Sequence, residues 1–219
     1  MARPEGLEPP AYWFEASRSI RLSYGRARTH RIITKGMATE TEVKIRMSVD
    51  PESARRHIEQ AGYRALGPRT LEADQLYELP TGELRMTGRL LRLRTCGDKW
   101  TLTYKGPALS LKHKSREEIE TGVSDGIALA AILYGLGFNP GFRYEKYRTT
   151  FAAEGEAGIV TLDETPIGLF LELEGPAEWI DLAAEQLGYT HADYVTLSYG
   201  ALFREFRIAN PEVSDDMVF

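Results

Sequence analysis

Seven separate segments of this chain alternate charged or polar residues with apolar ones at a period of two. In the first, "TETEVKIR" (residues 39–46), Glu40, Glu42, Lys44 and Arg46 fall on one side and Val43 and Ile45 on the other. A β-strand sends successive side chains to opposite faces, so each such segment has one charged and one apolar face. Arg92 and Arg94 oppose Leu91 and Leu93, and Thr101, Thr103 and Lys105 oppose Leu102 and Tyr104. Arg116, Glu118 and Glu120 oppose Ile119, and Lys146 and Arg148 share a face flanked by Tyr144 and Thr150. Thr161 shares a face with Asp163, and Glu172 and Glu174 oppose Leu171 and Leu173. One strand of this kind normally turns its charges to water, and edge lysines also guard against aggregation. Seven strands with twin carboxylates and arginine pairs are more than a solvated sheet needs. If helices cover the apolar faces and the sheet curls into a barrel, the charges line its interior.

The remaining pattern supplies those helices. Asp50-Pro51-Glu52 places an N-cap and a first-turn proline before a helix reaching residue 60. Further helices are expected over 125–136, 176–187 and 196–206. The first three end on glycine followed by an aromatic, at Gly62-Tyr63, Gly137-Phe138 and Gly188-Tyr189. This gives a weak repeat of charged strand, helix and aromatic stop, consistent with a pseudo-symmetric sheet. Strands are expected over 40–49, 66–77, 90–96, 99–105, 115–122, 142–151, 158–163 and 168–175. Alternation with one buried face points to an α+β chain with an antiparallel or mixed sheet, not a doubly wound parallel one. Trp100, Trp179 and the helix-stop aromatics read as packing anchors. The phenols of Tyr77 and Tyr104 are long enough to reach a tunnel. Asp74 reads as a strand or loop cap, His57 and His113 as surface residues, and residues 209–219 as a loose tail.

Composition narrows the chemistry. Hydrophobic residues make up 42% and charged residues 27%, ordinary for a globular chain, and no apolar run approaches a membrane span. The single cysteine, Cys96, excludes an intramolecular disulfide and fits a reducing, cytoplasmic setting. The four histidines show no ligand spacing, which argues against zinc, so a metal is expected to be held by oxygen as Mg²⁺, Mn²⁺ or Ca²⁺. The formal charge is -5, unevenly spread: residues 1–36 carry seven Arg or Lys against three Glu. The acidic remainder argues against general nucleic-acid binding. The leader 1–36 has no sustained period. It reads as a disordered basic arm, as a mitochondrial-type presequence, or as a mis-called start, with translation beginning at Met37. The last reading is favoured because "GLEP" and "SIRLSYGR" can be encoded by the antisense strand of a transfer RNA gene.

A lining of both signs suits one kind of ligand. A polyphosphate needs Arg and Lys along its length, and a divalent cation bridging its oxygens needs carboxylates. A purely basic channel would suit a passive anion binder, and a purely acidic one a cation site.

The same residues resemble a known family. "ETEVK" (residues 40–44) resembles the ExExK signature of the CYTH, or triphosphate tunnel metalloenzyme, superfamily, which includes class IV adenylate cyclases, thiamine triphosphatases and inorganic triphosphatases. The resemblance runs from residue 40 to about 203, through the segment 74–77, "LRLR" (91–94), "LTYKGP" (102–107), "KSREEIE" (114–120), "EKYRTTF" (145–151), "VTLDE" (160–164) and "LFLELEG" (169–175). "LTYKGP" with "SREEIE" looks most like the bacterial class IV cyclase branch. The resemblance implies an eight-stranded antiparallel β tunnel over residues 37–208, with helices packed outside. It implies metal binding by Glu40, Glu42, Asp163, Glu172 and Glu174, with Glu118 and Glu120 nearby. It implies phosphate binding by Lys44, Arg92, Arg94, Lys105, Arg116, Lys146 and Arg148, with Arg143 a further candidate, and catalytic roles for Glu40, Glu42 and Lys44. The expected cofactor is Mg²⁺ or Mn²⁺, and the expected partner a triphosphate, ATP or inorganic, with no nucleic acid and no membrane. Since related tunnel enzymes can be dimers, a homodimer is expected. Triphosphate hydrolysis is the leading activity. The alternatives are cyclisation of ATP to cyclic AMP and pyrophosphate, or a non-catalytic polyphosphate-binding module.

Overall fold

The computed structural model describes residues 38–110 and 113–219. The leader, and the expectation that translation starts at Met37, lie outside the described residues. In chain order the elements are β1 (Ala38–Met47), α1 (Pro51–Gln60), β2 (Arg64–Ala65), β3 (Thr70–Glu78), α2 (Glu83–Met86), β4 (Leu90–Cys96), β5 (Lys99–Lys105), β6 (Lys114–Val123), α3 (Gly126–Gly135), β7 (Asn139–Ala152), β8 (Ile159–Thr165), β9 (Gly168–Glu174), α4 (Ala177–Gln186), β10 (Tyr194–Val195) and α5 (Tyr199–Ala209). A 3-10 turn, His191–Asp193, precedes β10.

Eight strands form a closed antiparallel barrel. They run in the order β1-β6-β5-β4-β3-β7-β8-β9, and β9 returns to pair with β1. β2 extends β7 and β10 extends β1. The strand expected over 66–77 begins only at Thr70, as β3, because Gly67-Pro68 delays it and proline has no N–H for the ladder; the two-residue β2 before it was not expected.

The apolar faces point outward and the helices cover them. Val43, Ile45, Phe151, Leu162, Leu171 and Leu173 pack against Ala54 and Ile58 of α1 and Ile180, Ala183 and Ala184 of α4. On the far side, Tyr77 and Leu93 pack against Leu133 of α3, flanked by Trp100 and Phe138. The three aromatic stops share one geometry. Gly62, Gly137 and Gly188 take positive φ, and Tyr63, Phe138 and Tyr189 each donate their N–H five residues back, to the carbonyls of Ile58, Leu133 and Ala184.

A third apolar cluster joins α5 to the barrel. The inward-facing Phe170 and Tyr144 meet Tyr199, Leu202 and Phe203 of α5. Ser198 caps α5 by accepting from the Ala201 N–H. The expected loose tail is anchored at Met217, which is fully buried and exchanges backbone hydrogen bonds with Arg143 and Glu145 of β7.

Candidate active site

Charged side chains from seven of the eight barrel strands, all but β8, line a single cavity of about 920 Å³. The strand register decides which residues enter it. Glu42, Lys44 and Glu172 face each other across the β1–β9 seam, and Arg148 pairs with Asp163 across β7–β8. The alternation in sequence therefore becomes the inside and outside of the barrel wall.

On the β1, β5 and β6 wall, Lys105 Nζ lies 2.5 Å from Glu40 Oε2 and 2.9 Å from Glu118 Oε2. Glu42 Oε1 receives Lys44 at 3.2 Å and Lys114 at 2.6 Å. Arg116 is held more loosely: its buried Nε makes no hydrogen bond and lies 3.9 Å from Glu40. Such a donor retains capacity for an incoming anion. Glu120 stands at the exposed edge, accepting from Thr103 at 3.3 Å.

On the opposite wall, Asp163 is fully buried. It accepts two hydrogen bonds from Arg148 at 2.6 and 2.5 Å, one from Lys146 at 2.8 Å and one from the Tyr199 hydroxyl at 2.8 Å. Arg148 also pairs with Glu172, which meets Lys44 at 3.1 Å. Asp74 holds Arg94 in a two-pronged pair at 2.8 and 3.0 Å and Arg92 at 3.4 Å, while Glu72 meets Arg94 at 2.9 Å and Lys146 at 3.6 Å.

The carboxylates divide by how fully their charge is balanced. Burial raises Glu42 and Glu172, but Lys44 and Lys114 around Glu42, and Arg148 and Lys44 around Glu172, hold both well below the usual carboxylate range. Asp163 and Asp74 are likewise held low against burial by their arginines. Glu40 behaves oppositely. Burial pushes it up to about 7, Lys105 opposing, with Glu42 and Glu118 adding to the rise. Glu174 is also raised by burial, with only partial relief from Lys105 and Arg148. Among the cations, burial and the nearby Lys44 bring Lys114 down to about 8 despite Glu42.

Several expectations need correction. Asp74 is no cap but a buried anchor for Arg92 and Arg94. Arg143 points outward, half-exposed, to Glu145 at 2.6 Å. Glu72, Lys114 and Tyr199 were missed. Glu72 and Lys114 lie on the charged faces of β3 and β6, so the alternation could have revealed both. Tyr199 comes from a helix, and only its packing shows where it sits.

The histidines also differ from expectation. His113 is buried rather than on the surface, and its Nε2 lies 2.6 Å from Asp181 Oδ1. His191 Nε2 lies 2.9 Å from the same oxygen. Among the described residues this is the one trio of His, Asp or Glu side chains whose ligand atoms all lie within 4.8 Å of one another, so it could coordinate a divalent metal. It sits outside the tunnel. His113 alternates with the inward-facing Lys114, and Asp181 belongs to α4 on the outer wall. Residues 78 positions apart in sequence give no spacing signal.

The CYTH domain family matches residues 38–199, and the chain belongs to it, within the triphosphate tunnel metalloenzyme superfamily. A candidate adenylate cyclase of Methanocaldococcus jannaschii is 30% identical over 136 residues, covering 62% of this chain and 75% of that protein. The solved structure of a candidate adenylate cyclase from Vibrio parahaemolyticus superposes with a TM-score of 0.67 at 21% identity, covering 77% of this chain and 99% of that one. A candidate adenylyl cyclase from Hippeastrum, described as revealing a dominant triphosphatase activity, superposes with a TM-score of 0.56 at 19% identity, covering 76% and 97%. Among the described residues, no helix is long and apolar enough to cross a membrane.

Proposed function

We propose that this protein hydrolyses a triphosphate chain in its tunnel with the help of a divalent cation. The observation that carries the reading is the division of the lining. Eleven Lys and Arg side chains line one cavity with seven glutamates, and two of those glutamates, Glu40 and Glu174, are left short of compensating charge. A passive anion binder gains nothing from raised carboxylates among its cations.

The donor set fits Mg²⁺ or Mn²⁺, since every available acid in the tunnel offers oxygen only. Glu172 and Glu174, with Glu40 or Glu42, would hold the cation, with Glu118 and Glu120 nearer the mouth. Asp163 is the remaining expected ligand, and like Glu172 it would have to release cation partners to bind the ion. When bound, such a cation shields phosphoryl oxygens and makes attacking water more acidic.

The chain's own residues do the rest. Arg92, Arg94, Lys105, Lys114, Arg116, Lys146 and Arg148 neutralise and straighten the phosphate chain, and Lys44 does so between Glu42 and Glu172. Glu40, poised near neutrality, accepts the proton of a water whose oxygen attacks the terminal phosphorus. The bridging P–O bond breaks, and the shortened phosphate leaves with its charge met by the arginines. Positioning and charge stabilisation supply most of the acceleration.

A specific observation favours the cyclase as a second reading. Part of the cavity wall is apolar or aromatic, with Leu79, Pro80, Leu91 and Phe142, and could receive a nucleobase. The Hippeastrum protein, by its description, is dominated by triphosphatase activity, but at 19% identity it shares the fold alone. Phosphorus NMR of the products separates the readings. Orthophosphate and pyrophosphate from inorganic triphosphate, with no cyclic product from ATP, support hydrolysis. Pyrophosphate with a cyclic phosphodiester from ATP supports the cyclase.

A further inference from the structure

Apart from the tunnel, the barrel carries a second set of converging ligand atoms. His113 ends the approach to β6, Asp181 lies mid-way along α4, and His191 opens the turn before β10. We propose that His113, Asp181 and His191 form a transition-metal site on the outer wall, selective for Zn²⁺ or its neighbours over Mg²⁺.

The argument starts from one oxygen. Asp181 Oδ1 is approached by His113 Nε2 at 2.6 Å, His191 Nε2 at 2.9 Å and the Tyr194 hydroxyl at 3.0 Å. A carboxylate oxygen has about two lone-pair sites, so three donors on one atom exceed its capacity. A cation relieves the conflict. The two imidazoles then turn lone pairs rather than N–H groups towards the centre, and the carboxylate supplies the third bond. Tyr194 remains behind the carboxylate as the hydrogen-bond donor that orients it.

The spacing suits this. The three ligand atoms already lie within 4.8 Å of one another, and zinc bonds of about 2.0–2.1 Å set tetrahedral ligand atoms about 3.3 Å apart, so the two rings need only a modest shift outward from Asp181 Oδ1 to admit the ion. The frame is fixed on two sides, since His113 is buried and the turn bearing His191 is held by the reciprocal Thr190–Asp193 capping box. His191 is exposed, which gives the ion a route in and leaves a fourth position for water. Two imidazoles and a carboxylate favour Zn²⁺, Cu²⁺, Ni²⁺ or Co²⁺, whereas the all-oxygen tunnel favours Mg²⁺ or Mn²⁺. Metal here would tie together the start of β6, α4 and the turn leading through β10 to α5. Lys114, next to His113, faces the tunnel, so the site braces the wall behind Glu42.

The test uses the full chain, stripped with a chelator and titrated with Zn²⁺ by calorimetry and with Co²⁺ by visible absorption. One equivalent of Co²⁺ should develop the ligand-field bands of a four-coordinate nitrogen-containing site, and excess Mg²⁺ should not displace it. His191→Ala, a change at an exposed position, should weaken Zn²⁺ binding by at least roughly 10-fold. The tunnel variant Glu172→Gln/Glu174→Gln should bind Zn²⁺ as the wild type does. Absence of Co²⁺ bands and of Zn²⁺ heat in the wild type would overturn the proposal. So would binding that survives His191→Ala but disappears in the tunnel variant.

Discussion

The Lys114 ammonium lies 2.6 Å from Glu42 Oε1, inside the tunnel, although burial and the adjacent Lys44 bring it down to about 8. An ordinary lysine sits near 10.5. Between about 8 and 10.5 the unfolded chain therefore holds a proton that the folded chain releases, so this residue makes stability rise with pH over that window. Binding runs the other way. As pH climbs through 8 the cation is lost, and affinity for a non-hydrolysable triphosphate analogue should fall. Calorimetric titrations from pH 7 to 9 should show that fall in the wild type and a flatter profile in Lys114→Met.

Glu40 predicts the opposite sign for stability. Its carboxyl is raised by burial from 4.5 to about 7, so the folded chain keeps a proton that the unfolded chain gives up. The stabilisation is fully present below 4.5 and is lost as pH rises through 7. Glu40→Gln removes this loss. In metal-free protein at pH 8 the variant should unfold later than wild type, by on the order of 1–3 kcal/mol, and at pH 4 the gap should close. Urea unfolding at the two pH values checks this, and a variant less stable than wild type at pH 8 would refute it.

Asp163 holds the wall together. Asp163→Asn leaves Lys146 and Arg148 buried with their shared partner neutralised, which should cost about 3–5 kcal/mol. Tyr199→Phe removes only the phenol hydrogen bond and should cost about 1 kcal/mol. Chemical denaturation of both variants gives the comparison. Equal losses would mean that the ion pairs contribute little.

The packing of α5 on the barrel makes a further prediction. Phe203 is fully buried and stacks on Phe142, so Phe203→Ala should cost about 3–5 kcal/mol in thermal unfolding. A loss under 1 kcal/mol would show that α5 adds little to the packing.

The barrel was legible because its signal is local. Glu40, Glu42 and Lys44 against Val43 and Ile45 fix which face of β1 is inside, and six other strands repeat the pattern. The Gly-aromatic stops were legible for the same reason, since a positive-φ glycine and its anchor are neighbours in sequence. What escaped depends on pairing across the fold. Asp74 reads as a cap until register sets it opposite Arg94. Tyr199 reaches Asp163 from a helix that carries no alternation, and the His113–Asp181–His191 trio draws on the turn before β6, a helix and a 3-10 turn. Gly67-Pro68 was visible in the sequence, and its power to hold back the start of β3 to Thr70 was underestimated.

The most direct test of the central claim is the rate of inorganic triphosphate hydrolysis with Mg²⁺, wild type against Glu172→Gln/Glu174→Gln, with circular dichroism confirming that both are folded. The account predicts metal-dependent turnover in the wild type and a fall of at least roughly 10²-fold in the variant. Turnover that is unchanged by the variant, or absent from the wild type with every triphosphate and metal tried, would contradict it.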